Sequence, residues 1–206
     1  MMRENIKLYF KTFHKSPSTS IFNLTLSGVF IAIFIIARAI TKYFDFLNGY
    51  SWQLQMAVFS LALIFIPNFY YKLMFFIITP FVVLIFGFSS EIFFGYILPH
   101  YAFFPLLFLD LIFYVSLFKR DFRQKIKIII MVIMTIALSF FSYIGVHLSY
   151  SIQGVLYYKV VWSFSLAFNA LVSYISFILN SVVIAFVLPG LFFLRKKYLY
   201  YYQLNY

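Results

Sequence analysis

The chain has 206 residues, of which 65% are hydrophobic and only 10% are charged, and its formal net charge is +11. Soluble domains contain roughly 45–50% apolar residues, so this composition excludes an ordinary soluble protein and predicts an integral membrane protein. The sequence contains no cysteine, which excludes disulfides, a thiolate nucleophile and cysteine-based metal sites.

Apolar runs separated by charges, prolines and polar clusters occupy most of the chain after residue 20. Since about 20 apolar residues cross a bilayer as a helix, we predict an all-α integral membrane protein with a six-transmembrane-helix bundle. The predicted spans cover residues 21–40, 52–69, 72–90, 102–118, 127–149 and 161–194. Residues 1–20 lack the apolar core of a signal peptide and are predicted to be a retained cytoplasmic leader. Residues 21–194 then form one membrane domain, and residues 195–206 form a cytoplasmic tail.

The basic residues divide unequally between the two sides of the predicted bundle. Lys and Arg accumulate in the cytoplasmic loops of membrane proteins. With both termini in the cytoplasm, thirteen of the 16 basic residues, Lys72 among them, lie inside, and only Arg38, Lys42 and Lys159 lie outside. The net charge is therefore interpreted as the topology signal of a multi-pass cell-membrane protein in contact with anionic lipid, and no nucleic-acid partner is needed to explain it.

Residues 147–169, HLSYSIQGVLYYKVVWSFSLAFN, bring polar groups next to two apolar runs, where such groups are costly without a partner. In the sixth span, spacings of three and four place a polar stripe on one helix face, which must point into the bundle. The fifth span carries a shorter stripe, so we predict a polar seam between the two helices. Its inner half is predicted to be mainly structural and its outer half to bind a small molecule. The longer stripe comprises Trp162, Ser165, Asn169, Ser173, Ser176 and Asn180, and the shorter one Thr135, Ser139 and Ser142.

Further candidate residues lie near the predicted outer surface. Gln53 and Gln55 alternate at the start of the second span, so we expect only one to face inward and prefer Gln55. Trp52 is interpreted either as a ligand contact or as a residue of the interfacial aromatic belt. Glu91 could meet a ligand cation or a basic neighbour. Asp110 lies mid-span, where an ionised carboxylate is expensive unless it is paired, so functional and structural interpretations stay open.

No catalytic motif accompanies these residues, because the sequence lacks a P-loop, an H-E-x-x-H pattern and a G-x-S-x-G pattern. A membrane-embedded enzyme using His147 or His100 with Asp110 is an alternative. However, Asp110 lies some ~12–15 Å below the outer surface at 1.5 Å per helical residue, which disfavours a catalytic pair. We therefore predict a protein without enzyme activity, cofactor or metal. In the first span, Gly28-x-x-x-Ala32 predicts a close helix contact, either within the bundle or with a partner.

The chain resembles the substrate-binding S components of energy-coupling factor (ECF) vitamin transporters, and most of all the thiamine-binding members. Those proteins have six helices, cytoplasmic termini and an outward-facing pocket. The thiamine-binding members have a His before a Ser-Gly-type turn, and His147 and Ser151-Ile-Gln-Gly154 match these here. Aromatic residues follow, matched by Tyr157 and Trp162. A Tyr-Ser-Leu-x-Tyr-Asn segment comes last, matched by FSLAFN at residues 164–169. The resemblance implies that His147, Trp162 and Asn169 contact the ligand. It also implies that Gly28 and Ala32 dock on a transmembrane coupling subunit.

The function implied by this resemblance is capture of a vitamin or related small molecule at the outer face, for uptake driven by the coupling subunit and two ATPase subunits. Thiamine-binding members place an acidic residue before a Tyr-Pro-Leu-Ala-Phe segment, whereas GYILPHYAFFPLLF has His100 or Phe103 there, so the identity of the vitamin stays open. The alternative is a non-catalytic structural or accessory subunit. The candidate substrate-binding residues are Trp52, Gln55, Glu91, His100, Tyr101, His147, Ser151, Tyr157, Trp162, Ser165 and Asn169.

Overall fold

Three long helices dominate the computed structural model of the chain: α1 (Pro17–Thr41), α5 (Gln124–Leu156) and α6 (Trp162–Leu204). Each contains a segment long and apolar enough to cross a membrane, namely Ile21–Thr41, Lys125–Leu156 and Trp162–Leu191. Their outward faces carry exposed Ile, Leu, Val and Phe side chains, which suit lipid rather than water. The structure describes residues 17–41, 45–47, 50–51, 53–66, 68–86, 93–109, 112 and 124–204.

Shorter elements connect α1 to α5. A two-stranded antiparallel hairpin, β1 (Asp45–Leu47) and β2 (Tyr50–Ser51), precedes α2 (Leu54–Phe65). Helix α3 (Phe69–Ile78) continues as a 3₁₀ segment, Thr79–Phe86; a π-helical turn, Phe93–Ile97, leads into α4 (Leu98–Tyr101) and a second 3₁₀ segment, Phe104–Phe108. Pro80, Pro99 and Pro105 lie at or near the starts of helical segments, where the missing proline N–H costs little.

The described part of the chain therefore has three helices of membrane-spanning length and three shorter apolar ones, Leu54–Phe65, Phe69–Val82 and Phe93–Phe108. The predicted spans at 21–40, 127–149 and 161–194 coincide with α1, α5 and α6, and α5 and α6 extend further than predicted. In the fourth predicted span, helical structure begins at Phe93, well before residue 102. Pro99 lies in the first turn of α4 and so starts a helix where we had expected a loop.

Helix α2 is buried on almost every side. Ala57, Phe59, Ala62 and Leu63 are all 0% exposed, and a helix that is apolar all round belongs in the centre of a core. The Phe59 ring stacks on Phe75 of α3 with ring centroids 5.5 Å apart. The rings of Phe34 on α1 and of Phe103 also pack against the Phe59 ring, and in each pair the ring centroids are 6.3 Å apart. The core of the molecule is thus an aromatic cluster around α2.

One predicted cytoplasmic residue lies inside this core. The Asn68 side chain accepts hydrogen bonds from the backbone N–H groups of Tyr70 at 2.9 Å and Tyr71 at 3.4 Å, so α3 begins at Phe69. The early start carries Lys72 into the bundle, where it is fully buried and is held by interactions with its surroundings. Lys72 is therefore a core residue and does not add to the exposed cytoplasmic charge.

Candidate functional site

Helices α5 and α6 form an antiparallel pair joined by residues 157–161, and they approach each other closely at Gly154. A Cβ added at Gly154 would lie 2.2 Å from the Oγ of Ser165 and 3.3 Å from its Cβ. No side chain larger than hydrogen fits at that separation, so the glycine permits the contact. The SIQG sequence is thus the point at which the two helices lock together.

Hydrogen bonds reinforce this contact. The Ser165 hydroxyl donates to the Ser151 carbonyl at 3.0 Å, and the Asn169 amide donates to the Ser165 carbonyl at 2.8 Å and to its hydroxyl at 3.2 Å. His147 Nε2 lies 2.8 Å from the Leu166 carbonyl. Because a carbonyl only accepts, this nitrogen carries the proton. We call His147, Ser151, Gly154, Ser165 and Asn169 the α5–α6 seam.

The predicted polar stripe on α6 points into the bundle along most of its length. Its members from Ser165 to Asn180 are buried, as are the fifth-span residues Thr135, Ser139 and Ser142. This confirms the inward orientation inferred from the helical spacing. Trp162 differs, since it is 45% exposed at the first position of α6 and does not join the seam.

Two other predicted site residues that the structure describes, Tyr157 and Tyr101, make side-chain contacts outside the seam. The ring of Tyr157 lies 6.1 Å from that of Phe94, and the Tyr101 hydroxyl donates to the Ile77 carbonyl at 3.1 Å, which ties α4 to α3. Trp52 and Glu91 lie outside the described residues, as does Asp110.

His100 was expected near the outer surface of the membrane as a ligand contact, and the structure places its side chain in the aromatic core. It is fully buried, and its ring centroid lies 5.3 Å from that of Phe34 and 5.2 Å from that of Phe59. Its Nδ1 donates to the Tyr96 carbonyl, whereas its Nε2 has no hydrogen-bond partner within the described chain. α4 begins at Leu98 and carries the His100 side chain into the aromatic core.

A second polar region, which the sequence did not reveal, lies where α2 begins. Gln53 Nε2 donates to the Tyr150 hydroxyl, and Asn180 donates to the Gln53 carbonyl at 3.1 Å and to the Tyr143 hydroxyl. Gln53 and Gln55 are both buried, so the expectation that only one faces inward is wrong. The prediction assumed that residues at alternate positions face differently. Gln53 lies just before the first residue of α2, so its side chain does not follow the helix and can also face inward.

Arg38 of α1 completes this region. Its guanidinium carbon lies 4.0 Å from the centroid of the Tyr96 ring, a cation–π geometry. The sequence placed Arg38 among the external basic residues, but it is half-buried within the bundle. We call Arg38, Gln53, Tyr96, Tyr143, Tyr150 and Asn180 the central polar cluster.

The turn at residues 93–97 forms a wall against α5. Ser149 donates to the Phe94 carbonyl, and a Cβ added at Gly95 would lie 2.6 Å from the Gln153 amide nitrogen. Nearer the start of α5, a Cβ added at Gly145 would lie 2.7 Å from the Cβ of Ala102. The segment that was predicted to complete a pocket is therefore packed along α5.

The small-residue pattern of α1 points away from the bundle. Gly28 and Ala32 are exposed, and a Cβ added at Gly28 would meet no atom within 4 Å. Packing of this pattern within the same bundle, one of the two alternatives, is therefore not observed. The face is open to lipid or to a partner helix.

Within the described residues, no group of three His, Cys, Asp or Glu side chains could hold a metal ion. Comparison of the chain with protein-family models, with curated proteins and with solved structures gives no match in any of the three.

Proposed function

We propose that the chain is the substrate-binding subunit of an ECF-type importer, a six-span protein of the cell membrane with both termini in the cytoplasm. The observation that carries this proposal is the central polar cluster. It gathers polar side chains from α1, the start of α2, the 93–97 turn, α5 and α6 between apolar helices. A few convergent polar groups inside an apolar enclosure are typical of small-molecule sites.

In this proposal the ligand binds at the central polar cluster, next to the start of α2, and enters from the outer side of the membrane. Tyr150 of the cluster and Ser151 of the seam are adjacent in sequence, so the two polar regions meet there. The buried Oδ1 of Asn169 has no partner among the described residues and offers a further hydrogen-bond acceptor. Trp52 and Glu91 stay candidates from the segments that flank this region.

The proposal assigns the energy source to other subunits. The exposed Gly28 and Ala32 face of α1 would dock on a transmembrane coupling subunit, because small residues let another helix approach closely. Two ATPase subunits would then drive uptake, and no chemistry would occur on the ligand. A vitamin is the proposed ligand class, with thiamine as the member that the resemblance suggests.

A structural or accessory subunit is the second candidate, and the seam favours it. Ser165 and His147 donate to backbone carbonyls of the neighbouring helix, which is how polar side chains join transmembrane helices without any ligand. In that case the seam stabilises the α5–α6 pair and nothing more.

Native mass spectrometry of the purified protein tests the proposal, since a receptor should retain a small molecule from the cells that made it. Asn180→Ala and Asn169→Ala should release the ligand while the protein stays folded. Ser163→Ala, an exposed position on α6, serves as the control and should keep the ligand. If the wild type carries no small molecule and binds none of a vitamin panel, and both Asn variants only lose stability, the structural role is correct.

Docking is tested separately. Ala32→Leu should abolish association with the coupling subunit without lowering the stability of the isolated chain, because the added side chain points away from the bundle. Val29→Leu, on the same exposed part of α1, controls for side-chain size. Unchanged association and unchanged uptake in Ala32→Leu would contradict the assigned interface.

A further inference from the structure

The N-terminus of α2 lies inside the central polar cluster. α2 has 12 residues, and Gln53, which precedes it, provides no side-chain cap. The first turn of a helix presents backbone N–H groups and a partial positive charge of roughly half a unit. Since Gln53 contacts Tyr150 and Asn180, this positive end is directed at the interior of the bundle. Such a helix end attracts an anion.

The Gln53 side chain is an independent indication of a ligand. It is more than nine-tenths buried, and its Nε2 donates to the Tyr150 hydroxyl. Its Oε1 is also buried and has no hydrogen-bond partner within the described residues. Buried amide oxygens are almost always paired, so this atom indicates a missing donor next to the start of α2.

Arg38 brings a full positive charge to the same place. Its guanidinium carbon lies over the Tyr96 ring, and one turn further along α1 the Thr41 hydroxyl donates to the Gln55 side-chain oxygen in the first turn of α2 at 3.2 Å. Within the described residues Asp45 of β1 is the only acidic one, so none of the described helices supplies a carboxylate to Arg38. A half-buried guanidinium group presents a planar set of N–H donors that matches a carboxylate.

From these three observations we propose that Arg38, Gln53 and Tyr150, with the first turn of α2, recognise the carboxylate group of a small ligand. The carboxylate would pair with the guanidinium group and the helix N-terminus, and a neighbouring hydroxyl or N–H of the ligand would donate to Gln53 Oε1. This inference rests on the proposed function and names the chemical class of its ligand. It departs from a cationic ligand such as thiamine.

Matched pairs of probes that differ in charge test the inference on the full chain in lipid nanodiscs. Isothermal titration and thermal unfolding would compare nicotinate with nicotinamide, pantothenate with panthenol, and biotin with its amide, with thiamine as the cation. At least one carboxylate should bind more tightly than its neutral partner by roughly tenfold or more, as expected when a charge-assisted hydrogen bond is added.

Variants assign this preference to Arg38. Arg38→Gln should bring the carboxylate down to the affinity of its neutral partner, whereas Arg38→Lys should retain part of the preference. Lys125→Gln removes one exposed positive charge at the start of α5 and should leave the preference unchanged. If Arg38→Gln does not fold, the wild-type comparison and Arg38→Lys still decide the question.

The outcomes separate this inference from the proposed function. Equal binding of the two members of every pair, or preferential binding of thiamine, overturns carboxylate recognition while the receptor function stands. A carboxylate preference that persists unchanged in Arg38→Gln also overturns the assignment. If no probe binds and no small molecule co-purifies with the protein, both proposals fail.

Discussion

Helix α2 and the α5–α6 seam are both buried, but they are buried by different means. Around α2 the space is filled by large aromatic side chains, with Phe59 in contact with rings from three other elements. In the seam the space is removed, because Gly154 lets α6 approach until the Ser165 hydroxyl nearly touches the α5 backbone. The first region should therefore be sensitive to loss of volume and the second to gain of volume.

Removing volume beside α2 should have the largest effect. Phe59→Ala leaves a cavity that the surrounding aromatic rings can fill only partly, so we expect a loss of ~3–5 kcal/mol in the free energy of unfolding. Equilibrium unfolding in detergent measures it. Phe186→Ala makes the same chemical change at a position that is 83% exposed on α6 and should cost little. Equal losses for the two variants would show that Phe59 is not central to the core.

Adding volume to the seam should come next. Gly154→Leu forces α5 and α6 apart, and overpacking of this kind costs ~1–3 kcal/mol. Gly28→Leu is the matched control, since a side chain there meets nothing within 4 Å and replaces a glycine that weakens the helix. Thermal unfolding should show a clear decrease for the first variant and none for the second. A tolerated Gly154→Leu would contradict the close contact.

The central polar cluster should respond more weakly, through hydrogen bonding and not volume. Tyr143→Phe removes the hydroxyl that accepts from Asn180 and changes the packing very little, so a loss of about 1 kcal/mol is expected. Tyr174→Phe, a half-buried α6 tyrosine that stacks on Phe140, controls for the substitution. If the two variants are equally stable, the Asn180–Tyr143 contact contributes nothing measurable.

The smallest effect should come from the polar contacts of the seam. His147→Phe removes the hydrogen bond to the Leu166 carbonyl but keeps a ring beside Tyr174, and interhelical hydrogen bonds in membrane proteins average ~0.6 kcal/mol. Leu148→Phe changes the neighbouring exposed position and should be neutral. A loss for His147→Phe as large as that for Gly154→Leu would mean that hydrogen bonding, and not close approach, holds the seam.

The sequence predicted features that depend on regular spacing within one helix. The stripe from Ser165 to Asn180 follows a helical period, and its burial agrees with that period. The three long helices could also be predicted, because an apolar run long enough to cross a membrane is rarely anything but a helix.

Features that depend on contacts between segments far apart in sequence could not be predicted from the sequence. Arg38, Gln53 and Asn180 are far apart in sequence, and no pattern within any one helix indicates that they meet. His100 was expected outside the fourth span, which was predicted to begin at residue 102, whereas helical structure begins at Phe93 and α4 includes His100. Lys72 was misplaced in the same way, since the Asn68 cap starts α3 earlier than the charge pattern suggested.

The enclosure of α2 by protein also has a consequence for how the molecule responds to its membrane. With 12 residues, α2 is only ~18 Å long and is buried along most of its surface, whereas α6 has 43 residues and exposes apolar side chains as far as Leu194. A change in bilayer thickness therefore acts on α1, α5 and α6, which respond to hydrophobic mismatch by tilting. Because Asn180 of α6 donates to the Gln53 carbonyl at the start of α2, a tilt of α6 relative to α2 would strain this hydrogen bond and couple bilayer thickness to the polar centre of the bundle.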